Sequence, residues 1–255
     1  MSGFLKIDNL GKNFGGLRAV DSVSFAMKKN TIHAVIGPNG AGKTTLFNLI
    51  AGSIRPDSGT VIFNEENITA LAPHKVARKG IFRTFQAVKL LPRMSALENV
   101  MVGMHSQTKS GIVSGMLSLP SARAEEKKMT ERAMASLEDV GLASQSHMPT
   151  GSLSFGSQRM VELARALVGN PELLLLDEPA SGLNMKETEE LTARISNLRE
   201  IGLSVLLVEH DMSLVMEISD CLTVLNFGQK IAEGTPREIQ ANKDVIRIYL
   251  GEEDA

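Results

Sequence analysis

Hydrophobic and polar positions alternate with a period near two over residues 4–10 and 20–27, which predicts two strands. A short apolar run rich in β-branched residues at 31–36 predicts a third. It ends in Gly37-Pro38-Asn39-Gly40-Ala41-Gly42, after which residues 43–51 read as a helix. Residues 61–63 and Ile68 suggest a hairpin, and residues 81–85 a further strand. From about residue 97 to 166 the period lengthens to that of a helix, with Met129, Ala133, Leu137 and Val140 on one face. A stretch richer in Gly and Ser at 106–120 interrupts it as a loop or short helix. Strand and helix then alternate again. Residues 173–176 and 204–208 read as buried strands, and residues 186–199 as an amphipathic helix through Leu191, Ile195 and Leu198. Residues 222–225 and 229–232 flank a turn at Gly228. Strands alternating with helices imply a parallel sheet with crossover helices.

Composition narrows the class. The 255 residues are 43% hydrophobic and 22% charged, as in globular chains and unlike disordered ones. Lys and Arg total 27 against 29 Asp and Glu, a net charge of -2, so no basic excess points to nucleic acid. The single cysteine, Cys221, excludes an intramolecular disulfide and a cysteine-built metal site. No apolar run approaches the ~20 residues of a membrane span, and the first ten residues lack the apolar core of a signal peptide. The expectation is a cytosolic chain whose membrane role, if any, comes through a partner.

Gly37-Pro38-Asn39-Gly40-Ala41-Gly42-Lys43-Thr44 fits G-x-x-x-x-G-K-[ST], with Thr45 following, and lies between a predicted strand and a predicted helix, as that motif requires. Its glycines let backbone N–H groups converge on phosphate oxygens, and the next helix turns its positive end to the same anion. Lys43 is expected to reach the β- and γ-phosphates and Thr44 to ligate Mg²⁺. The strand at 173–176 ends in Asp177-Glu178. Two carboxylates at the tip of a buried strand need a cation or donors. Asp177 is placed to join the Mg²⁺ shell, and Glu178 to orient or deprotonate a water in line with the γ-phosphate.

Further segments carry a family resemblance. Leu153-Ser154-Phe155-Gly156-Ser157-Gln158, just upstream of the acidic strand, resembles the signature sequence of ATP-binding cassette (ABC) ATPases. Gln86 resembles that family's Q-loop glutamine, Ser181-Gly182-Leu183-Asn184 its D-loop and His210 its switch histidine. Phe14 sits where the family stacks an aromatic ring on adenine. Arg83-Thr84-Phe85-Gln86, Ala180-Ser181-Gly182-Leu183-Asn184, Glu209-His210-Asp211-Met212 and the ending Tyr249-Leu250-Gly251-Glu252 resemble more narrowly the ATPases of branched-chain amino acid importers. Lipopolysaccharide-export ATPases share a similar ending, and urea-type importers are similar to the branched-chain group.

The resemblance implies an α/β fold. Its core is a P-loop NTPase of the ABC type with a predominantly parallel sheet, an antiparallel β-subdomain at the N-terminus and an inserted helical subdomain. Residues 1–90 and 167–255 would form the core and residues 91–166 the helical subdomain with the signature. The implied cofactors are ATP and Mg²⁺. The implied partners are a second ABC ATPase of the same or a related chain, membrane permease subunits, and indirectly a solute-binding protein, with no nucleic acid. The implied location is the cytoplasmic side of the inner membrane. Ser154 and the Gly156 backbone would bind the γ-phosphate of the partner's ATP, Gln86 would contact Mg²⁺ or water, and His210 the γ-phosphate. The sequence departs from the family at Phe155, Ser157 and Asn184, where Gly, Gln and Asp are usual. Eight of the 13 methionines lie from Met94 to Met160, and Met94, Met101 and Met104 are candidates for a groove that docks the membrane subunit. The rival reading is a soluble ABC ATPase, for example one acting in iron–sulfur assembly.

Overall fold

β1 (Leu5–Phe14) and β2 (Leu17–Met27) pair antiparallel across Gly15-Gly16, with Phe14 opposite Leu17. The alternation that marks residues 4–10 breaks at Asn9, which lies at φ +49° where the register shifts. A bulge of this kind re-aims side chains without ending the ladder, so the strand runs on to Phe14 although its pattern stops earlier. The computed structural model describes residues 3–84, 88–104 and 120–250.

After β2 come β3 (Ile32–Ile36), α1 (Lys43–Ile50), β4 (Ser58–Phe63), β5 (Glu66–Asn67), α2 (Pro73–Arg78) and β6 (Ile81–Arg83). Then follow α3 (Ala96–Val102), α4 (Pro120–Asp139), α5 (Phe155–Leu167), β7 (Leu173–Asp177), α6 (Met185–Glu200) and β8 (Ser204–Val208). The chain closes with α7 (Met212–Ile218), β9 (Cys221–Asn226), β10 (Gln229–Gly234), α8 (Pro236–Gln240) and α9 (Lys243–Leu250). One sheet is antiparallel, in the order β2-β1-β4-β5. The other has the order β10-β9-β3-β8-β7-β6 and is parallel except for the β10 edge.

The parallel strands are buried on both faces, which is why they read as unbroken apolar runs. Their residues divide by the period of two. Leu174, Leu176, Val205 and Leu207 face the core shared with α3 to α7, whereas Leu173, Leu175, Leu206 and Val208 face the core shared with α1 and the antiparallel sheet. Each fully buried leucine contributes about 1.5–3 kcal/mol. The carboxyl ends of β3, β6, β7 and β8 lie along one edge of this sheet, the usual place for a ligand in an open α/β fold.

Among the described residues, the stretch read as helical from 97 to 166 holds three helices, with two 3₁₀ turns at Ala143–Gln145 and Thr150–Ser152. Gly141, at φ +79°, turns the chain out of α4, and a Ser95–Glu98 capping box starts α3. Met104 belongs to the core with Ala133 and Leu137, and Met101 packs half-buried against it. Met104 is thus filling the core and is withdrawn as a groove residue. Among the described residues no helix is long and apolar enough to cross a membrane.

Candidate functional site

The β3–α1 loop is shaped by two glycines that have no substitute. A Cβ on Gly37 would lie 2.1 Å from the Leu225 carbonyl oxygen, and one on Gly42 would lie 2.3 Å from that of Ala19. Both residues also have positive φ, +149° and +100°. Gly42 is the N-cap of α1, so that helix starts with no side-chain cap and no acidic residue in its first turn. Its first N–H groups are left for an anion. Lys43 Nζ folds back onto the loop and donates to the carbonyl oxygens of Gly37 at 2.7 Å and Pro38 at 3.0 Å. Burial lowers the Lys43 pKa, and the nearby Glu178 and Asp177 charges oppose that shift.

The β7 tip lies across the cleft from this loop. Asp177 is 2% exposed, and its Oδ2 accepts from Arg83 Nη2 at 2.6 Å. Arg83 Nη1 donates to Asn48 Oδ1, also at 2.6 Å. The other carboxylate oxygen, Asp177 Oδ1, is buried with no hydrogen-bond partner. An acceptor held this way fits a cation. Glu178 follows at φ +47°, in the left-handed region, with its amide donating to Val208 O at 2.9 Å. Such backbone strain concentrates at working positions. Glu178 Oε2 stands 4.0 Å from His210 Nδ1, and His210 is 62% exposed at the end of β8. Glu209, immediately before it, is fully buried.

Glu178 lines one cleft of about 370 Å³ with Asn39, Gly40, Ala41, Gly42, Lys43, Thr44 and Thr45. Phe14, 47% exposed, forms part of its wall, with Lys12 Nζ 5.6 Å from the ring centre. Leu17, Arg18, Ala19 and Phe227 complete that wall, and sequence reasoning missed them. Phe227, 84% exposed, sits at the tip of the β9–β10 hairpin. The hairpin is tied down on both sides, by Gly228 N to Ala41 O at 3.0 Å and Asp21 N to Gly228 O at 2.8 Å. A Phe-Gly turn far along the chain carries no local sign of that placement.

Ser154 and Gly156 lie elsewhere. They line a separate cavity with Glu187 and Met160, outside the phosphate-loop cleft. Ser154 caps α5 by accepting from Ser157 N at 3.1 Å, and its hydroxyl also donates to Ser157 Oγ at 3.1 Å. A Cβ on Gly156 would meet the Glu187 carboxylate, and one on Gly182 would meet the Phe155 ring at 2.9 Å. The Arg159 guanidinium packs 5.3 Å from that ring. Asn184 caps α6 in a capping box with Glu187. Gln86 lies outside the described residues.

Comparison with known proteins agrees with this geometry. Residues 20–181 match the ABC transporter family, and residues 229–255 match the branched-chain amino acid ATP-binding cassette transporter family. The chain is 46% identical over 249 residues to the high-affinity branched-chain amino acid transport ATP-binding protein LivG of Salmonella typhimurium, covering 97% of this chain and 98% of that one. It superposes with a TM-score of 0.86 on the ADP conformation of an ATP-binding cassette of an ABC transporter, at 32% identity, covering 99% of this chain and 100% of that one. It also superposes on a dimeric cassette bound to ADP and Pi in a post-hydrolysis state, with a TM-score of 0.77 at 25% identity, covering 91% and 99%. The chain belongs to the ABC transporter family and is one of its ATP-binding cassette ATPases.

Proposed function

We propose that this chain is the ATP-hydrolysing subunit of an importer of branched-chain amino acids. The observation that carries the reading is 46% identity to LivG across nearly the whole of both chains, with a separate match of residues 229–255 to the branched-chain group. These relatives do not favour the rival readings, a soluble ATPase, a lipopolysaccharide exporter and a urea-type importer. Residues 1–90 and 167–255 serve as the nucleotide-binding core and residues 91–166 as the helical subdomain. The chain pairs with a second ABC ATPase and works against membrane permease subunits, on the cytoplasmic face of the membrane. A solute-binding protein selects the cargo.

Phe14 stacks on adenine. Backbone N–H groups of residues 39–45, at the start of α1, hold the phosphates, and Lys43 swings from the Gly37 and Pro38 carbonyls to the β- and γ-phosphates. Thr44 Oγ1, Asp177 Oδ1 and Gln86 would hold Mg²⁺, and the unpartnered Oδ1 suits that role. Bound Mg²⁺ supplies charge stabilisation at the β- and γ-phosphate oxygens. Glu178 orients the attacking water and takes its proton, while His210 donates to the γ-phosphate. Ser154 and the Gly156 amide complete the γ-phosphate site of the partner's ATP.

Replacing a general base costs about 10²–10⁴-fold in rate. Glu178→Gln is therefore expected to bind Mg-ATP normally and to hydrolyse it at least about a hundredfold more slowly. Steady-state turnover and a nucleotide-binding titration on the same preparation check this. Near-normal turnover removes Glu178 from its role.

A further inference from the structure

Glu209 is completely buried at the end of β8, and the hydrolytic scheme above makes no use of it. Its two carboxylate oxygens reach two different loops. Oε1 accepts the Ala180 amide at 2.8 Å. Oε2 accepts the His210 amide at 2.9 Å and the Asp211 amide at 3.4 Å, and it stands 3.7 Å from His210 Nδ1. A carboxylate stripped of water is retained only where donors replace that water, and here backbone N–H groups of both loops do so.

The Ala180 loop is the one that follows Glu178. Ser181 N closes a turn onto Glu178 O at 3.1 Å, and Leu183 N closes the next onto Ala180 O at 3.1 Å. The far side of the same loop rests on the signature helix. Arg159 Nη2 donates to Ser181 O at 3.4 Å, and the Phe155 ring covers Gly182. One buried carboxylate thus joins the segment that bears Glu178 to the segment that bears His210, and through residues 180–182 it reaches α5.

We infer that Glu209 is a positioning residue that locks the 178–182 loop and the 209–211 loop into one unit, fixing the spacing of Glu178 and His210. The inference rests on the roles proposed for those two residues. Glutamine at 209 has the same shape but turns an N–H₂ group toward one set of N–H donors, so one of the two loops is released.

The test uses full-length Glu209→Gln with Mg-ATP. A misplacement near 1 Å can cost about a hundredfold, so kcat is expected to fall about tenfold to a hundredfold. Affinity for a fluorescent ATP analogue should stay within about twofold, because the phosphate loop is untouched. Backbone amide exchange should rise in residues 178–182 and 209–211 and stay unchanged in residues 37–45. A role in folding alone lowers the melting temperature without that split. The idea is overturned by wild-type kcat, by loss of analogue affinity in step with kcat, or by exchange raised evenly along the chain. If Glu209→Gln does not fold, Glu209→Asp keeps the charge but shortens the side chain by one methylene, so that it no longer reaches both loops at once. It should show the same loss of kcat with affinity kept, and wild-type kcat there also overturns the idea. Glu178→Gln is measured in parallel. Normal turnover in that variant rejects the catalytic roles, whereas the exchange data still decide whether Glu209 joins the two loops.

Discussion

Asp177 and Arg83 illustrate what one residue pair does in this fold. Their charges meet at 2.6 Å with side chains 2% and 11% exposed. Removing one partner of a buried ion pair strands the other, which costs about 3–5 kcal/mol, whereas replacing both with apolar groups is often close to neutral. Arg83→Met is therefore expected to destabilise the chain by about 3–5 kcal/mol, and the double variant Arg83→Met/Asp177→Leu by clearly less than the sum of the two single changes. Urea unfolding of the four proteins measures the coupling, and strict additivity rejects it. The aspartate was legible in the sequence as an acid at the tip of an apolar strand. Its partner was not, because the pairing joins β6 to β7 across 94 residues. Phe227 was hidden for the same reason, because only the packing of the β9–β10 hairpin on the phosphate loop brings it to the cleft wall, whereas Leu17 reaches that wall as the partner of Phe14 across the β1–β2 turn.

Among the elements, legibility followed burial. β7 and β8 were plain because both their faces are covered, so nothing polar interrupts them. α2, α7 and α8 went unread because helices of five to seven residues are too short to display a period. Their starts did carry signals, namely Pro73, Asp211 and the Thr235–Glu238 capping box. The start of α6 explains one departure from the family pattern. Asn184 Oδ1 accepts from Glu187 N at 3.0 Å, while Glu187 reaches back to Asn184 N at 3.1 Å. Asn and Asp cap a helix about equally well, so the loop keeps its geometry with one charge fewer. Asn184→Ala is expected to cost about 1 kcal/mol, which lowers the melting temperature by about 2–4 °C at this size. Asn184→Asp should leave it within about 1 °C, since a gain at the positive helix end offsets repulsion from Glu187. Calorimetry of both variants decides. An equal loss in the two would mean that the cap contributes nothing.

At the scale of the whole molecule, the chain carries two groups of candidate site residues that do not meet. The phosphate loop and Glu178 share one cleft, and Ser154 and Gly156 line another. Within one copy the signature therefore does not enclose the phosphate-loop cleft, in keeping with the proposal that it acts on the ATP of a facing subunit. The Ser154 side chain has two separable properties. It caps α5, which Asp does equally well, and its uncharged hydroxyl tolerates a neighbouring phosphate, which a carboxylate would not. Ser154→Asp is thus expected to keep the melting temperature and the ATP affinity of the single chain. Placed in the Glu178→Gln background, where ATP persists unhydrolysed, it should abolish ATP-dependent association. Light scattering with and without Mg-ATP follows this, with the partner ATPase added if the two subunits differ. Glu178→Gln should gain mass on adding ATP, and the double variant should not. A double variant that still associates would mean that Ser154 faces away from the partner's nucleotide. In that case the departures at Phe155 and Ser157 would concern only the contacts of α5 within its own chain.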